Sequence, residues 1–276
     1  MVLKLEYLKK KYLKNFRNDE KFCDFVLTDV MFGFSEIYKL LKKNNINSVL
    51  EIGSGTGILL NELKTFFPHI QFKGIDAHES GYYRYKEVYD SLDRCDFDIE
   101  NVQVEKFSTN NKFDLIFSIN VFEHVRDWVK YIDRTSNLLN KDGLNIIYGP
   151  NYDFSYEPHF VIQIIINKKI TKFFFNNKIK RSEIKNNEVG LWEGLHLTGK
   201  REIEKFLIKK NYTYFFDYSI KNTMIDRILN DKEFKRRQGV TSYLAIFAKY
   251  LYLDKLIFDL FKIPFPYMKL IIIKKN

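Results

Sequence analysis

The stretch SVLEIGSGTGILLNEL, Ser48 to Leu63, joins a predicted strand to a predicted helix. Residues 48–52 are a short apolar run, which is typical of a buried β-strand, and the helical pattern that follows ends before Pro68. The turn between them contains Gly53, Gly55 and Gly57. Glycine adopts unusual backbone angles and lets a ligand approach the main chain, and the first amides of a helix favour a negative group. The stretch therefore predicts a turn that binds a small ligand with an anionic end.

Strands and helices alternate outward from this turn. Further strands are predicted over residues 70–77, 100–107, 112–120 and 141–151, and a helix is predicted over residues 121–139. Alternation of this kind indicates an α/β fold with a parallel sheet and right-handed crossovers. The alternation stops after Asn151 and returns with a helix over 199–211, a strand over 212–220 and a last strand from Tyr267.

These changes of pattern divide the chain into four parts. Residues 1–45 are predicted to be a helical N-terminal extension, and residues 46–151 a ligand-binding α/β core. Residues 152–198 are predicted to be an inserted cap or lid over a substrate. Residues 199–276 are predicted to complete the core, with a mostly helical insertion over 222–262 and the last strand.

Composition and charge restrict the class of protein. The chain has 276 residues, 45% of them hydrophobic, and a net charge of +10, which suits anionic partners. Cys23 and Cys95 have neither metal-ligand nor disulfide spacing, so we expect no metal and a reduced, cytoplasmic setting. The N-terminus lacks the apolar core of a signal peptide, and no uncharged run reaches the roughly 18 residues of a membrane span.

The glycine spacing separates two classes of cofactor. A dinucleotide fingerprint, G-x-G-x-x-G, would place its third glycine where this chain has Ile58. The chain instead has E-x-G-x-G-x-G, in which Glu51 is the acid. A carboxylate there suits a ligand ammonium group, which a pyrophosphate does not provide. The pattern resembles motif I of the class I S-adenosylmethionine (SAM)-dependent methyltransferases.

Three further segments resemble the same family. Asp76 ends the second strand about 20 residues beyond the turn, where an acid can accept hydrogen bonds from ribose hydroxyls, although dinucleotide folds share this spacing. KFDLIFSINVFEHV, residues 112–125, resembles the fourth strand and the start of the next helix. LLNKDGLNIIYGPN, residues 138–151, resembles the fifth-strand region of small-molecule methyltransferases.

The resemblance implies a fold and a cofactor. The fold is a Rossmann-like, doubly wound, mostly parallel seven-stranded sheet with an antiparallel last strand, and the cofactor is SAM, released as S-adenosylhomocysteine (SAH). Glu105 is implied beside the adenine, with Phe107 as an alternative. The cofactor-binding residues implied are Glu51, Gly53, Ser54, Gly55, Gly57, Asp76, Ala77, Glu105, Ser118, Ile119 and Asn120.

Methyl transfer to oxygen or nitrogen usually needs a base near the carboxyl ends of strands four and five. His124, His159 and His196 are the catalytic candidates by position, although each could instead be a structural histidine of a helix start or loop. The substrate-binding candidates are Asn151, Tyr152, Glu157 and Trp192. The first three of these lie with His159 in PNYDFSYEPH, which resembles the sugar-modifying members of the family.

Two other segments suggest partners. Residues 167–185 carry seven cations, one acid and three consecutive phenylalanines, which indicates either a solvated face or a lid that binds a phosphorylated or nucleotide-linked substrate. Nucleic acid is disfavoured because no recognition motif accompanies the charge. The apolar segment near residues 243–270 indicates a core or homodimer helix, or peripheral contact with the inner face of the membrane.

The function that these features favour is O-methylation of a sugar or nucleotide-linked sugar in cell-surface polysaccharide biosynthesis. A quinone or lipid methyltransferase at the membrane surface is one alternative. A non-catalytic SAM-binding partner subunit is another.

Overall fold

A computed structural model describes residues 3–78, 82–93, 96–186, 188–251, 253, 258, 260 and 263–275. The chain forms two compact units. The first unit comprises residues 1–119, 127–146 and 272–276, and the second comprises residues 120–126 and 147–271.

The first unit begins with helices and continues as alternating strands and helices. Its elements are α1 (Leu5–Tyr12), a 3₁₀ turn (Leu13–Phe16), α2 (Glu20–Lys43), β1 (Ser48–Ile52), α3 (Ile58–Phe66), β2 (Gln71–Asp76), α4 (Tyr83–Asp90), β3 (Asp98–Asn101), β4 (Phe113–Ile119) and α5 (Trp128–Leu138). Strand β5 (Leu139–Pro150) begins in this unit and continues into the second.

The second unit is mostly helical. It contains a 3₁₀ turn (Phe122–His124), β6 (Tyr156–Glu157), β7 (Ile162–Gln163), α6 (Lys168–Asn186), α7 (Leu191–Gly194), α8 (Lys200–Lys209), β8 (Thr213–Phe216), α9 (Ile220–Asn230), α10 (Lys232–Gln238), α11 (Val240–Tyr250) and most of β9 (Tyr267–Ile273).

Seven strands form one sheet in the order β3-β2-β1-β4-β5-β9-β8. Strands β3, β2, β1 and β4 are parallel, and Glu51 lies opposite Gly74 in the register of β1 with β2. Strand β9 runs antiparallel to β5, because Lys274 pairs with Asp142 and Gly143 at one end and Pro266 pairs with Asn151 at the other. The predicted mostly parallel seven-stranded sheet with an antiparallel last strand is confirmed.

Two local predictions were wrong, and one helix was missed. The third strand is Asp98–Asn101 rather than 100–107, because residues 104–106 form a turn in which Lys106 and Phe107 donate backbone hydrogen bonds to Gln103. The predicted helix over 121–139 is a 3₁₀ turn followed by α5, which begins where Asp127 accepts a hydrogen bond from the Lys130 amide. Helix α4 was not predicted.

The N-terminal helices are attached to α3 by a buried acid. Glu62 is fully buried, and it accepts hydrogen bonds from the Tyr12 hydroxyl and, at 2.7 Å, from Lys11 Nζ. Asn61 donates a further hydrogen bond to the Tyr12 hydroxyl. Burial of this acid is tolerated because a cation and a hydroxyl compensate for its lost hydration. The contact fixes α1 against the helix that follows the glycine turn.

The centre of the first unit leaves no room for a side chain at position 74. A Cβ built there would lie 2.5 Å from Ser54 Oγ, 2.7 Å from Ile99 Cγ1 and 3.1 Å from Leu60 Cδ1. These three atoms belong to the glycine turn, β3 and α3 respectively. Gly74 therefore lets all three elements pack directly on β2.

We expect Gly74→Ala to lower the free energy of unfolding by about 1–3 kcal/mol, as overpacking of a dense core does. Chemical denaturation followed by circular dichroism measures the change. Gly194→Ala is the matched control, because a Cβ at Gly194 meets no atom within 4 Å. If the two variants have equal free energies of unfolding, close packing around Gly74 does not contribute to stability as we expect.

Candidate active site

The glycine turn has the backbone conformation that its sequence predicts. Gly53, Gly55 and Gly57 have φ angles of 73°, 51° and 72°, in the left-handed region that favours glycine. The amides of Gly53 and Ser54 donate to the Ile75 carbonyl at the end of β2, at 2.8 and 3.2 Å. The turn is thereby attached to β2 before α3 begins.

Asp76 holds the other side of this turn. Its Oδ2 accepts a hydrogen bond of 2.7 Å from the Gly55 amide, and its Oδ1 accepts one of 2.7 Å from the His78 amide. His78 is buried, has a φ of 44°, and places Nε2 3.0 Å from the Gly55 carbonyl oxygen. Ala77 lies between these two residues, directly after the end of β2. Asp76 and His78 thus fix the glycine turn from outside it.

Glu51 is a buried acid directly beneath the turn. It is 5% exposed, and its Oε2 has no hydrogen-bond partner among the described residues. Burial, and then the charge of Asp76, raise the pKa of Glu51 well above its usual value. A carboxylate in this state gains a great deal from a cationic ligand group.

The other predicted cofactor residues lie at the ends of strands. Ser118 is fully buried and accepts a hydrogen bond of 2.8 Å from the Tyr131 hydroxyl, and Ile119 ends β4 beside it. Asn120, which begins the second unit, has a φ of 55°, and its side-chain oxygen accepts a hydrogen bond from the Tyr267 hydroxyl. Glu105 lies half-buried in the turn after β3. Phe107 is fully buried as part of the core.

In the second unit a 3₁₀ turn carries Glu123 and His124. Glu123 is 2% exposed, and neither carboxylate oxygen has a hydrogen-bond partner among the described residues. The Glu123 carbonyl accepts a hydrogen bond of 2.6 Å from the His196 amide. The segments that carry His124 and His196 are therefore joined directly.

The β6–β7 hairpin brings His159 to the same cluster. Glu157 is fully buried in β6, and its Oε1 accepts hydrogen bonds from the His159 amide at 2.7 Å and from His159 Nδ1 at 2.6 Å. The Tyr152 hydroxyl donates to the other oxygen of Glu157. The rings of His124 and His159 lie 5.6 Å apart, edge to face. The fold thus brings Glu157, Tyr152 and the predicted histidines of this unit into one cluster.

The members of this cluster have different preferred protonation states. Burial lowers the pKa of His124 to about 3, and the charges of His159 and His196 act in the same direction. Burial would also lower the pKa of His159, but the charge of Glu157 and its hydrogen bond raise it to about 9. Burial raises the pKa of Glu123 to about 7, against the charge of His159. Such spreading of pKa values in a buried cluster is typical of functional sites.

Two predicted substrate residues are engaged elsewhere in the second unit. The Asn151 side chain donates to the Phe265 carbonyl at 2.9 Å and accepts from the Lys200 amide at 3.0 Å, so it holds backbone segments together. Trp192 is 1% exposed and packs edge to face on Phe160 at 5.5 Å. These two side chains therefore contact the backbone and a core aromatic ring, respectively.

Two residues of these sites were missed by sequence reasoning. His78 lies only two positions beyond Asp76, but nothing in the sequence indicates that its ring contacts the glycine turn. Glu123 immediately precedes the predicted His124 in the sequence. An acid in an otherwise apolar helical run, VFEHV, is the signal that could have found it.

The residues of the first unit fit SAM. The unpartnered buried oxygen of Glu51 suits the ammonium group of the methionine part, and Asp76 stands at the strand end where ribose hydroxyls are accepted. The left-handed Gly55 and Gly57 also leave room for neighbouring rings, because a Cβ would lie 3.2 Å from Tyr85 Cδ1 at Gly55 and 3.0 Å from Tyr89 Cδ2 at Gly57.

Comparisons with known proteins agree with this assignment. A family model described as a methyltransferase domain matches residues 18–197. The uncharacterised protein Rv1509 of Mycobacterium tuberculosis (strain ATCC 25618 / H37Rv) is 27% identical over 203 residues, which cover 72% of this chain and 69% of that protein. Malonyl-[acyl-carrier protein] O-methyltransferase 2 of Ilyobacter polytropus is 29% identical over 97 residues, which cover 35% of this chain and 37% of that protein.

A solved structure shows the same fold. The plantazolicin methyltransferase BpumL, crystallised with a pentazolic desmethylPZN analogue and SAH, has a TM-score of 0.52 at 18% identity. The similarity covers 97% of this chain and 91% of that one. Because the family model spans more than half of the chain, this protein belongs to the family of methyltransferase domains. It is a SAM-dependent methyltransferase of class I fold, with SAM as methyl donor and SAH as product.

We expect Glu51→Gln to stabilise the cofactor-free protein and to weaken SAM binding. The raised pKa of Glu51 means that its contribution to stability falls as the pH rises above the unfolded value of 4.5. The variant should therefore melt at least about 2 °C higher than the wild type at pH 8, with a smaller difference at pH 5. Its dissociation constant for SAM should rise at least about tenfold, because a charged hydrogen-bond acceptor is lost.

Thermal melting at both pH values and isothermal titration with SAM measure these effects. Glu6→Gln, which changes an exposed carboxyl group of α1, is the control and should alter neither quantity appreciably. An unchanged SAM affinity in Glu51→Gln would contradict the assignment of Glu51 to the ammonium group.

Proposed function

We propose that this methyltransferase transfers the methyl group to a hydroxyl of a sugar or nucleotide-linked sugar of a cell-surface polysaccharide. The observation that carries the proposal is the cluster of the buried Glu123 and Glu157 with the half-buried His124 and His159, in which Tyr152 is hydrogen-bonded to Glu157. Hydrogen-bonding groups of this kind, held in place by one another, suit an acceptor rich in hydroxyl groups. An aromatic cage for an alkyl ammonium acceptor would need a different set of side chains.

Oxygen methylation also needs a group that takes up a proton. SAM supplies the methyl carbon, bound to a sulfonium sulfur that leaves as the neutral thioether of SAH. The acceptor oxygen forms the new bond to carbon, and its proton passes to a base in the protein. We assign that base to the histidines of the cluster, His124, His159 and His196. The name of the Ilyobacter relative records an O-methyltransferase, which supports oxygen as the acceptor atom.

Several basic side chains of helix α6 support the proposal that the acceptor carries a negative charge. Lys168 donates to the carbonyls of Glu193 and Leu195, and Lys178 donates to the carbonyl of Val161. Lys172 is paired with Glu193. These three lysines hold the second unit together. The exposed cations of the run are Lys169, Lys178, Lys180, Arg181 and Lys185, and we assign phosphate binding to those other than Lys178.

We expect turnover with nucleotide-linked sugars and a large loss of it on removal of a cluster histidine. SAH release is measured with SAM and a panel of nucleotide-linked sugars, free sugars and acyl-carrier-protein thioesters. His159→Ala and His196→Ala should each lower kcat about 10²–10⁴-fold, because each loses a positioned proton-transfer or binding group. His69→Ala, which removes an exposed histidine of the first unit, is the control.

The outcome against the proposal is equally definite. If His124→Ala, His159→Ala and His196→Ala all retain near-wild-type turnover, the histidines are not the base. If only acyl thioesters are methylated, the sugar assignment is wrong.

One surface favours a second candidate, methylation of a lipid or quinone by an enzyme bound to the inner face of the membrane. Tyr243, Leu244, Phe247 and Tyr250 of α11 are each at least 60% exposed. Lys232, Lys235, Arg236, Gly239 and Tyr243 line a cavity of about 380 Å³ between α10 and the start of α11. Exposed aromatics beside cations are typical of surfaces that lie at a lipid interface. Among the helices that the structure describes, none combines the length and apolar character needed to cross a bilayer.

We expect the protein to sediment with vesicles that contain about one-third phosphatidylglycerol and not with pure phosphatidylcholine, since each basic residue near an anionic surface contributes about 1 kcal/mol. The double variant Phe247→Ser and Tyr250→Ser should lose this binding. Tyr83→Ser, at a tyrosine of α4 that is 64% exposed, is the control and should retain it. No sedimentation with either vesicle, together with a dimer mass by light scattering, would show instead that α11 is a homodimer surface.

A further inference from the structure

Glu123 is an unusual group to find unpaired inside a protein. Its side chain is 2% exposed, and both carboxylate oxygens lack a hydrogen-bond partner among the described residues. Burial removes the hydration of this carboxylate, and the charge of His159 compensates for part of that loss. Neither oxygen accepts a hydrogen bond from a lysine or an arginine among the described residues, so a further cation would stabilise the group.

Two imidazoles lie beside this carboxylate. One carboxylate oxygen of Glu123 and one ring nitrogen each of His124 and His159 lie within 4.8 Å of one another. Two histidines and one glutamate are a recurring ligand set for a divalent metal ion with an open coordination position. Ligands of a bound ion, each about 2.0–2.2 Å from the metal, lie closer together than this. Small side-chain rotations would therefore be needed to complete the site.

The surroundings of His159 are those of a metal-bound histidine. Its Nδ1 is 2.6 Å from Glu157 Oε1, so Nε2 is the nitrogen directed away from this carboxylate. Tyr152 in turn donates to the second oxygen of Glu157. A carboxylate on the far nitrogen fixes the orientation and tautomer of a ligating histidine and increases its basicity. This second layer is already formed in the protein.

The backbone also leaves space at the carboxylate. Gly149, near the end of β5, has no side chain, and a Cβ built there would lie 3.3 Å from Glu123 Oε2. A larger residue at this position would therefore make a tight contact with this oxygen.

We propose that Glu123, His124 and His159 Nε2 bind a divalent first-row transition-metal ion of the Zn²⁺ type, with Glu157 as the positioning residue of His159. Imidazole and carboxylate ligands together favour such an ion over Mg²⁺ or Ca²⁺. Three protein ligands leave a coordination position for an oxygen of the acceptor.

This inference deepens the proposed function and rests on it for the identity of the acceptor. An ion at this site polarises the acceptor hydroxyl and lowers its pKa. With His124 and His159 engaged as ligands, His196 is the histidine that remains to accept the proton. In this arrangement Glu123, His124 and His159 bind the metal ion, and His196 accepts the proton.

The direct test measures metal binding in the whole protein. After dialysis against EDTA, the wild type is titrated with Zn²⁺ by calorimetry and with Co²⁺ by visible absorption. We expect one ion per chain with a dissociation constant at or below the micromolar range, and the Co²⁺ bands of a low-coordinate nitrogen and oxygen site. Absence of both signals in the wild type overturns the proposal without recourse to any variant.

Variants then identify the ligands. Glu123→Gln and His159→Ala should each weaken Zn²⁺ binding at least about 100-fold, and Glu157→Gln about 10–100-fold, as outer-shell changes do. His196→Ala and His69→Ala should bind Zn²⁺ as the wild type does. Circular dichroism confirms that each variant is folded. Equal Zn²⁺ affinity in the wild type, Glu123→Gln and His159→Ala would show that the ion binds elsewhere and would refute the site.

Methyl transfer separates this inference from the proposed function. If the EDTA-treated enzyme methylates a nucleotide-linked sugar at the full rate, the metal proposal is wrong and the proposed function stands. If Zn²⁺ binds at these ligands but no sugar is methylated, the metal site stands and the acceptor assignment fails.

Discussion

The close approach of β1, β2 and the glycine turn is the constraint on which the cofactor site depends. Gly74 lies opposite Glu51, and Ser54, Leu60 and Ile99 occupy the space that a side chain at position 74 would need. Because these elements are in contact, Asp76 can accept a hydrogen bond from the Gly55 amide. The turn is therefore rigid before any ligand binds, and less conformational entropy is lost on binding.

Both units contain buried acids, and these acids differ in the hydrogen-bond partners of their carboxylate groups. Glu62 is compensated by Lys11 and Tyr12, so it stabilises the attachment of the N-terminal helices. All three acids have a carboxylate oxygen without a hydrogen-bond partner among the described residues, but the other oxygen of Glu62 accepts hydrogen bonds from Lys11 and Tyr12, whereas neither oxygen of Glu123 has a partner there. Natural proteins rarely retain such groups unless a ligand compensates for them. We propose that the ammonium group of SAM provides that compensation for Glu51 and that a metal ion provides it for Glu123.

Much of the fold could be predicted from local patterns. The glycine spacing and the run of apolar strands indicated the class I methyltransferase fold, and the sheet order confirms it. The limits of β3 could not be predicted, because VQVEKF alternates like a strand, whereas in the fold its backbone closes a turn on Gln103. The helix predicted over 121–139 was interrupted because Asp127 caps a new helix within it. The roles of Asn151 and Trp192 depend on the core around them, which the sequence does not reveal.

The sequence alone indicated the cofactor of this protein, because the motif that predicts SAM consists of residues that are close together in the chain. Glu51, three glycines and Asp76 are adjacent through one strand–turn–helix unit and the strand that follows. Only the tertiary structure decided how the polar cluster is built. Glu123, His159 and His196 are separated by dozens of residues, and a hairpin and a backbone hydrogen bond bring them together. Contacts of this kind arise from packing, which no local pattern of residues records.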